Sequence, residues 1–308
     1  MVSSRKKNIF AVRCHEFGEK ERELYAYGEQ YFGEENTFLI MNVESKPKIP
    51  KGFNCVHFNH ETLLSSKDFL WFREVAWKCG DYCYYALNKK HPGYEYLWLV
   101  EPDLKICEPD PGTFFSIFED YDHDWLAPFL GPASEKLYFF HTAKCLEAAP
   151  MSCLFPITRV KVSKISQMEN VRKKLTQDFL QKNKPPHDYP NDEIFFATVS
   201  RRLGLKCAGL DKLSTFNFML FRSDKDTMFL DDDVREVKGR FIMHPVLEEE
   251  EYVRKKERVF AGVLKGSGEL VHWVNETLQK QPNPRLRQKL QERFLGEAKK
   301  LLRIQDQG

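Results

Sequence analysis

The stretch that most constrains the fold of this chain is Tyr96–Asp103, an apolar run that ends in Glu101, Pro102 and Asp103. An uninterrupted apolar run of this length is typical of a strand buried on both faces of a parallel sheet. Pro102 lacks a backbone N–H and suits the point where a strand leaves the sheet. If the chain stays extended, Glu101 and Asp103 lie on the same side. Open α/β sheets bind ligands beyond the carboxyl ends of their strands. The two carboxylates therefore predict a seat for Mg²⁺ or Mn²⁺ carrying a diphosphate.

The composition indicates a globular protein and argues against a nucleic-acid partner. The 308 residues are 42% hydrophobic and 30% charged, and 47 basic residues against 45 acidic ones give a net charge of +2. Nucleic-acid-binding proteins usually show a clear basic excess. The sequence contains no run of 18 apolar residues, so it predicts no membrane span. The apolar stretch Asn8–Val12 is too short for the core of a signal peptide. We therefore expect a cytoplasmic protein.

Strand-like and helix-like segments alternate along the first hundred residues in the order β-α-β-β-α-β. The predicted segments are the strands Ile9–Val12, Thr37–Asn42, Phe53–Phe58 and Tyr96–Val100, and the helices Glu19–Tyr31 and Phe69–Leu87. This order predicts an α/β fold with a mostly parallel central sheet flanked by helices. Later segments add the helices Lys164–Gln181 and Asp192–Leu203 and the strands Asp124–Phe129, Phe216–Phe221 and Gly239–Val246.

A helical extension is predicted at the C-terminus, over residues 251–308, after a main domain over residues 1–250. Its last helix, Pro284–Ile304, carries seven basic and two acidic residues and a rough apolar stripe. A basic amphipathic helix of this kind can lie on an anionic membrane, which would place the protein at the inner face of the membrane. The alternatives are packing on its own domain or on a second copy, as a homodimer.

Two further positions carry acids or imidazole where strands end or helices begin. His244 follows an apolar run and precedes a proline, and a neutral imidazole is a good third ligand for Mn²⁺. Asp192 and Glu193 open a predicted helix. Acids in a first turn favour the helix dipole, which is a structural explanation of the pair. The functional alternative is a general base at the mouth of a cleft.

The remaining candidates are Arg13, at the end of the first predicted strand, and the segment Gly80-Asp81-Tyr82. Gly80 lies inside the predicted helix Phe69–Leu87, where a glycine costs about 1 kcal/mol relative to alanine. That cost suggests the close approach of a backbone or a ligand. Asp81 is then either a solvated acid or a group that binds a ribose or a base.

Five short segments, taken in their order along the chain, resemble a known family. They are Trp77–Tyr82, Tyr96–Asp103, Phe155–Arg159, Asn191–Glu193 and His244–Val246. Together they resemble bacterial glycosyltransferase-like proteins with the nucleotide-diphospho-sugar transferase (GT-A) fold, over residues 8–247. The resemblance implies a half that binds the nucleotide-sugar donor, residues 8–130, and a half for a glycan or glycolipid acceptor, residues 131–250.

The resemblance also implies roles for individual residues. Glu101-Pro-Asp103 is similar to the family's D-x-D metal motif, with Asp103 the more direct ligand of Mn²⁺ or Mg²⁺. His244 is similar to the histidine that completes the metal site, and Asp192 or Glu193 to the acids that supply the base in inverting members. The residues expected to bind substrate are Arg13, Gly80, Asp81, Tyr82, Glu101 and Arg159. Glu replaces the first Asp of the motif, and its longer side chain suits contact with sugar, ribose or water.

Two other functions stay open at this stage. A nucleotidyltransferase of the same fold usually has a glycine-rich basic loop after its first strand, and the segment from Arg13 to Gly18 has one glycine. A catalytically degenerate domain that acts as a binding or assembly module would explain the Glu101 replacement. The sequence has no G-x-x-x-x-G-K-[ST], G-x-G-x-x-G or G-x-S-x-G motif, which disfavours P-loop enzymes, common dinucleotide dehydrogenases and α/β-hydrolases.

Overall fold

The computed structural model describes residues 8–42, 50–59, 61, 67–72, 75–223, 228–266 and 270–305. The chain divides into two compact units. The first consists of Met1–Phe218 with Gly239–Ile242, and the second of Met219–Lys238 with Met243–Gly308. The predicted main domain over residues 1–250 and helical extension over residues 251–308 stay a prediction.

The elements are as follows in chain order. The strands are β1 (Asn8–Cys14), β2 (Thr37–Asn42), β3 (Cys55–Phe58), β4 (Tyr96–Val100), β5 (Lys105–Ile106), β6 (Trp125–Ala127), β7 (Gly131–Pro132), β8 (Met151–Ser152), β9 (Ile157–Lys161), β10 (Cys207–Gly209), β11 (Phe229–Leu230), β12 (Ile242–Met243) and β13 (Val246–Leu247). The α-helices are α1 (Glu19–Phe32), α2 (Val75–Lys78), α3 (Asp81–Lys90), α4 (Pro111–Phe115), α5 (Val162–Gln181), α6 (Asp192–Arg202), α7 (Leu210–Leu213), α8 (Asp231–Val234), α9 (Glu249–Gly266), α10 (Leu270–Gln279) and α11 (Pro284–Gln305). Short 3₁₀ helices include Phe140–Leu146 and Pro186–Asp188.

A seven-stranded sheet forms the centre of the first unit, in the order β10-β6-β9-β4-β1-β2-β3. The strands β4, β1, β2 and β3 run parallel, and β9 alone within this sheet runs antiparallel, between β4 and β6. The segment Ile9–Val12 of β1 is fully buried, as expected for a strand paired on both sides. The predicted α/β fold with a mostly parallel central sheet is confirmed, and so is the β-α-β-β-α-β order.

The helix predicted over Phe69–Leu87 is interrupted. Helix α2 ends at Lys78 and α3 begins at Asp81, so Gly80 lies at the entrance of α3 rather than inside a helix. Residues 73 and 74 of the predicted helix lie outside the described residues. The break follows from hydrogen bonding, because the Gly80 N–H donates to the side chain of Asp192 and not to the preceding helical turn.

An ion pair without solvent exposure joins α3 to α5. The Asp81 carboxylate accepts hydrogen bonds from Arg172 Nε at 2.8 Å and Arg172 Nη2 at 2.7 Å, and from the Tyr85 hydroxyl at 2.8 Å. Arg172 Nη1 donates to the Pro190 carbonyl, and the guanidinium lies 3.6 Å from the centre of the Phe195 ring. Every charged group here has partners, which is the condition for burying charges at tolerable cost.

The second unit is built on α9, α10 and α11, and the predicted C-terminal helices are confirmed. The apolar side of α11 packs on α9, where the rings of Phe260 and Phe294 stack with centroids 4.5 Å apart. Lys289 Nζ lies 2.7 Å from Glu249 and 3.0 Å from Glu250, so acids of α9 offset basic charge of α11. Packing of α11 on its own unit is thus observed, and contact with a membrane or a second copy stays a prediction. Within the described ranges, no helix has the length and apolar character needed to cross a bilayer.

Breaking the buried ion pair is expected to destabilise the protein strongly. Arg172→Met leaves the Asp81 carboxylate buried and unpaired, and such a loss typically costs about 3–5 kcal/mol in the free energy of unfolding. Urea unfolding followed by circular dichroism measures this change. Arg172→Met combined with Asp81→Leu should regain part of the loss, because neither charge then remains. The exposed pair of Glu276 and Lys280 supplies the control, and Glu276→Ala should change little. An Arg172→Met protein as stable as the wild type would contradict this account.

Candidate active site

The chain turns immediately after β4 instead of continuing extended. The Leu104 N–H donates to the Glu101 carbonyl at 3.2 Å, which closes a turn with Pro102 at its second position, where proline is favoured. Glu101 and Asp103 were predicted to lie on the same side, and carboxylate oxygens of the two residues do lie within 4.8 Å of each other. The turn, and not strand alternation, brings them together. The Glu101 N–H donates to the Pro156 carbonyl at 2.8 Å, which fixes this first residue of the turn against the segment that leads into β9.

Arg13 of β1 joins two of the predicted acids. Its Nη1 lies 2.5 Å from Glu101 Oε1 and 3.7 Å from Asp192 Oδ2. The Arg13 side chain is 13% exposed, that of Glu101 24% and that of Asp192 5%, so Glu101 is the most accessible of the three. Burial lowers the pKa of Arg13, but the attraction of Glu101 and Asp192 outweighs it and holds the pKa above its usual value. Arg13 is therefore a fixed positive charge.

Asp192, the first residue of α6, is bound by two backbone donors. The Gly80 N–H donates to Oδ2 and the Glu193 N–H to Oδ1, both at 2.8 Å. Burial raises the pKa of Asp192 well above its usual value, while Arg13 opposes the increase. The helix itself is capped by Asn191, whose Oδ1 accepts from the Ile194 N–H at 3.2 Å. The chain thus uses Asn191 to begin α6 and Asp192 to reach another segment.

Gly80 is required at its position by space rather than by backbone conformation. Its φ of −59° and ψ of −24° are open to any residue. A Cβ on Gly80 would lie 2.3 Å from Arg13 Nη1 and 2.6 Å from Asp192 Oδ2. Both distances are shorter than non-bonded contacts allow. The close approach predicted for this glycine is therefore an approach of protein side chains.

Glu193 differs from its neighbour in exposure. It is half-buried, whereas Asp192 is 4% exposed. Its Oε2 accepts a hydrogen bond from Asn191 Nδ2 at 3.2 Å. Of the two predicted catalytic acids, Glu193 thus has the side chain that solvent or a substrate reaches.

The two acids after β4 offer the hard oxygen ligands that Mg²⁺ and Mn²⁺ prefer. Asp103 is half-buried and lies in the turn that Glu101 opens. Glu101 Oε1 is already bound by Arg13, whose positive charge repels a second cation near that oxygen. Asp103 therefore suits a divalent cation better than Glu101, and Glu101 balances the charge of Arg13.

His244 belongs to the second unit, where it is 8% exposed and packs on Phe221 with ring centroids 5.2 Å apart. Its Nδ1 lies 2.6 Å from the Arg222 carbonyl oxygen, and because a carbonyl only accepts, Nδ1 carries the proton. The neutral ring then has its lone pair on Nε2. A backbone carbonyl that fixes the tautomer in this way is typical of metal-binding histidines. The metal role of His244 stays a prediction.

Three residues expected to bind substrate lie in the interior. Asp81, Tyr82 and Arg159 are 0%, 1% and 2% exposed. Asp81 is held by the ion pair described above, and Arg159 donates to the carbonyls of Phe118 and Tyr121, both at 2.6 Å. Burial lowers the pKa of Arg159 to about 10. The Tyr82 hydroxyl donates to the Leu70 carbonyl at 3.2 Å. All three side chains are therefore bound by other groups of the protein interior.

The sequence identified the members of this cluster one by one but did not predict that Arg13 connects them. The signal was present in β1, where Arg13 interrupts an otherwise apolar strand. A charged side chain in a buried strand needs an opposite charge or hydrogen-bond acceptors. Nothing in the local pattern says which group supplies them, because Glu101 is 88 residues away along the chain.

Comparison with known proteins gives fold-level likenesses only. No known protein family matches the sequence, and no curated protein matches it. Mannose-1-phosphate geranyltransferase from Thermus thermophilus has a similar structure, with 9% identity, a TM-score of 0.36, and coverage of 73% of this chain and 82% of that one. A glycosyltransferase involved in the glycosylation of the major capsid of PBCV-1 has 11% identity, a TM-score of 0.36, and coverage of 77% and 92%. Likenesses this weak carry no inference about activity or residue roles.

Gly80→Ala is expected to disrupt the cluster. The new methyl group must displace Arg13 or Asp192, and overpacking of this kind typically costs about 1–3 kcal/mol in the free energy of unfolding. Thermal unfolding measures the loss. Gly93→Ala is the matched control, because a Cβ there meets nothing within 4 Å. Equal stability of the two variants would contradict the packing described for Gly80.

Proposed function

We propose that this chain is a glycosyltransferase that moves a sugar from a nucleotide-sugar donor to a hydroxyl group of a glycan or glycolipid, with the help of Mn²⁺ or Mg²⁺. The observation that carries the proposal is the contact of Arg13 with both Glu101 and Asp192. It brings the end of β4 and the start of α6 to the carboxyl end of β1. Ligands of open α/β sheets bind at this edge.

The acids after β4 are assigned to the donor. Asp103 would hold the divalent cation, and a bound cation supplies positive charge that stabilises the leaving diphosphate. Glu101 has a different task, because it neutralises Arg13 and fixes its direction. Arg13 in turn is a permanent cation at the edge where a diphosphate would lie. The replacement of the usual first Asp by Glu suits this division, since the longer side chain reaches the neighbouring strand.

Glu193 is assigned as the general base and Asp192 as a positioning residue. A base must be within reach of the proton it takes, so geometry is considered before pKa. Both oxygens of Asp192 already accept from backbone N–H groups, and its side chain is almost fully buried. Glu193 is half-buried, and its backbone N–H is held by Asp192. Asp192 thus fixes the first turn of α6, from which Glu193 extends.

The reaction is then a single displacement. The acceptor oxygen attacks the anomeric carbon of the donor, a new C–O bond forms, and the bond from that carbon to the diphosphate oxygen breaks. The acceptor proton passes to Glu193, and the products are a glycoside and a nucleoside diphosphate. One displacement inverts the anomeric configuration, which the ¹H–¹H coupling of the anomeric proton reports.

Glu193→Gln is expected to reduce turnover by about 100- to 10,000-fold, the range typical for removal of a general base. Donor affinity, measured calorimetrically, should change little, because the amide keeps the size of the side chain. Release of nucleoside diphosphate in the presence of acceptor measures turnover.

Asp192→Asn is the matched comparison. It keeps the shape of the side chain but replaces one acceptor oxygen by NH₂, which faces Arg13 or a backbone N–H. We expect a loss of stability together with a smaller loss of turnover than in Glu193→Gln. A stable Asp192→Asn protein without turnover, beside an active Glu193→Gln protein, would reverse the assignment of the base.

Asp103→Asn is expected to remove the effect of divalent cations on donor binding. A thermal-shift screen of UDP-, GDP- and ADP-sugars, each with and without Mn²⁺, identifies the donor. A ligand at about 100 times its Kd stabilises the protein by roughly 2.7 kcal/mol. The wild type should show this gain only with the metal, and Asp103→Asn should not show it. Binding that is the same in both proteins would exclude the metal role of Asp103.

Production of a nucleotide sugar from a nucleoside triphosphate and a sugar 1-phosphate would indicate nucleotidyl transfer instead.

A further inference from the structure

Three aromatic side chains form a cluster at the surface of the first unit, here called the aromatic platform: Trp77, Tyr138 and Phe139. Trp77 is 64% exposed and Tyr138 is 78% exposed. The Phe139 ring lies between them, with its centroid 5.7 Å from that of Trp77 and 4.8 Å from that of Tyr138. Neighbouring aromatic residues as exposed as these mark interaction sites more often than single exposed residues do.

The aromatic platform lies on or beside two segments that contact α6. Trp77 lies in α2, three residues before Gly80, whose N–H binds Asp192. Tyr138 and Phe139 lead directly into the 3₁₀ helix Phe140–Leu146, which packs against α6. The platform therefore belongs to the same part of the first unit as the proposed base.

The surroundings of the platform are polar and mixed in charge. Lys78 Nζ lies 5.7 Å from the centre of the Phe139 ring. His141 follows the platform in sequence, and its Nε2 lies 3.9 Å from a carboxylate oxygen of Asp188. A flat apolar face with hydrogen-bond donors and acceptors around it fits a saccharide ring, which presents C–H groups on one face and hydroxyl groups around its edge. A surface that binds anionic membranes is instead surrounded by positive charge, from Lys and Arg.

We propose that the aromatic platform is the acceptor subsite and binds a saccharide ring, with Trp77 and Tyr138 stacking on its C–H face. The inference rests on the proposed function for its place in a reaction, and it narrows the acceptor to one that offers a sugar rather than only a lipid hydroxyl. Saccharide binding itself does not require the donor, so it is tested separately.

A glycan array probed with the full chain identifies saccharides that bind, and saturation-transfer NMR with the strongest one measures affinity. Trp77→Ala and Tyr138→Ala should each weaken binding about tenfold, the size of one lost aromatic contact. Trp77→Phe should retain most of the affinity, because it keeps a flat apolar face. Leu180→Ala is the control, since Leu180 is 48% exposed on α5 and carries no ring. The melting temperature of each variant verifies that it is folded.

Donor binding and slow hydrolysis of the nucleotide sugar should be unchanged in Trp77→Ala, which separates this inference from the proposed function. If the wild type bound no nucleotide sugar but the variants still lost saccharide binding, the platform would be supported and the transferase function refuted. The platform would be overturned if the wild type bound no saccharide, or if Trp77→Ala and Tyr138→Ala bound it as tightly as the wild type does. If the two variants lost binding to vesicles of phosphatidylcholine and phosphatidylglycerol but bound saccharide as the wild type does, the saccharide proposal would be overturned in favour of a membrane-binding surface.

Discussion

The guanidinium of Arg13 is the group on which the candidate active site depends. A permanent cation in a buried strand is tolerable only if hydrogen-bond acceptors or opposite charges surround it. Glu101, from the end of β4, and Asp192, from the start of α6, supply the opposite charge. Burying Arg13 therefore fixes the positions of a strand end and a helix start that are far apart in sequence. Gly80 completes this arrangement, because only a residue without a side chain leaves space for both Arg13 and Asp192.

A second charged pair stabilises the same region from the other side. Gly80 binds Asp192 through its N–H, and the next residue, Asp81, is held by Arg172 of α5. The first residues of α3 are thus fixed by two independent contacts, one to α6 and one to α5. Functional groups carried by helices and supported by further hydrogen bonds are held more accurately than those on free loops. The proposed base Glu193 is therefore presented from a rigid helix start.

The sequence predicts those features of the fold and the site that depend on neighbouring residues, and it does not predict those that depend on contacts between distant residues. The strand β4 followed from its apolar run, and α6 from the acids Asp192 and Glu193 at its start, so both were predicted correctly. The interruption at Gly80 was missed, because its cause is a hydrogen bond that the Gly80 N–H donates to Asp192, 112 positions away along the chain. The sequence also did not predict that Asp81 pairs with Arg172, because Arg172 is 91 positions away. Arg172 occupies an apolar position of α5, between the buried Met168 and Leu175, and this break in the stripe was the available signal.

The central claim is that Arg13, Glu101 and Asp103 form the diphosphate end of a nucleotide-sugar site. A crystal structure of the protein with Mn²⁺ and either UDP or GDP tests it most directly, because manganese is located by its anomalous scattering. The account predicts a manganese peak within about 2.2 Å of an Asp103 carboxylate oxygen, the distance usual for small divalent cations, with the diphosphate between the metal and Arg13. Manganese and nucleotide bound away from Asp103, with the Arg13–Glu101 pair untouched, would contradict it.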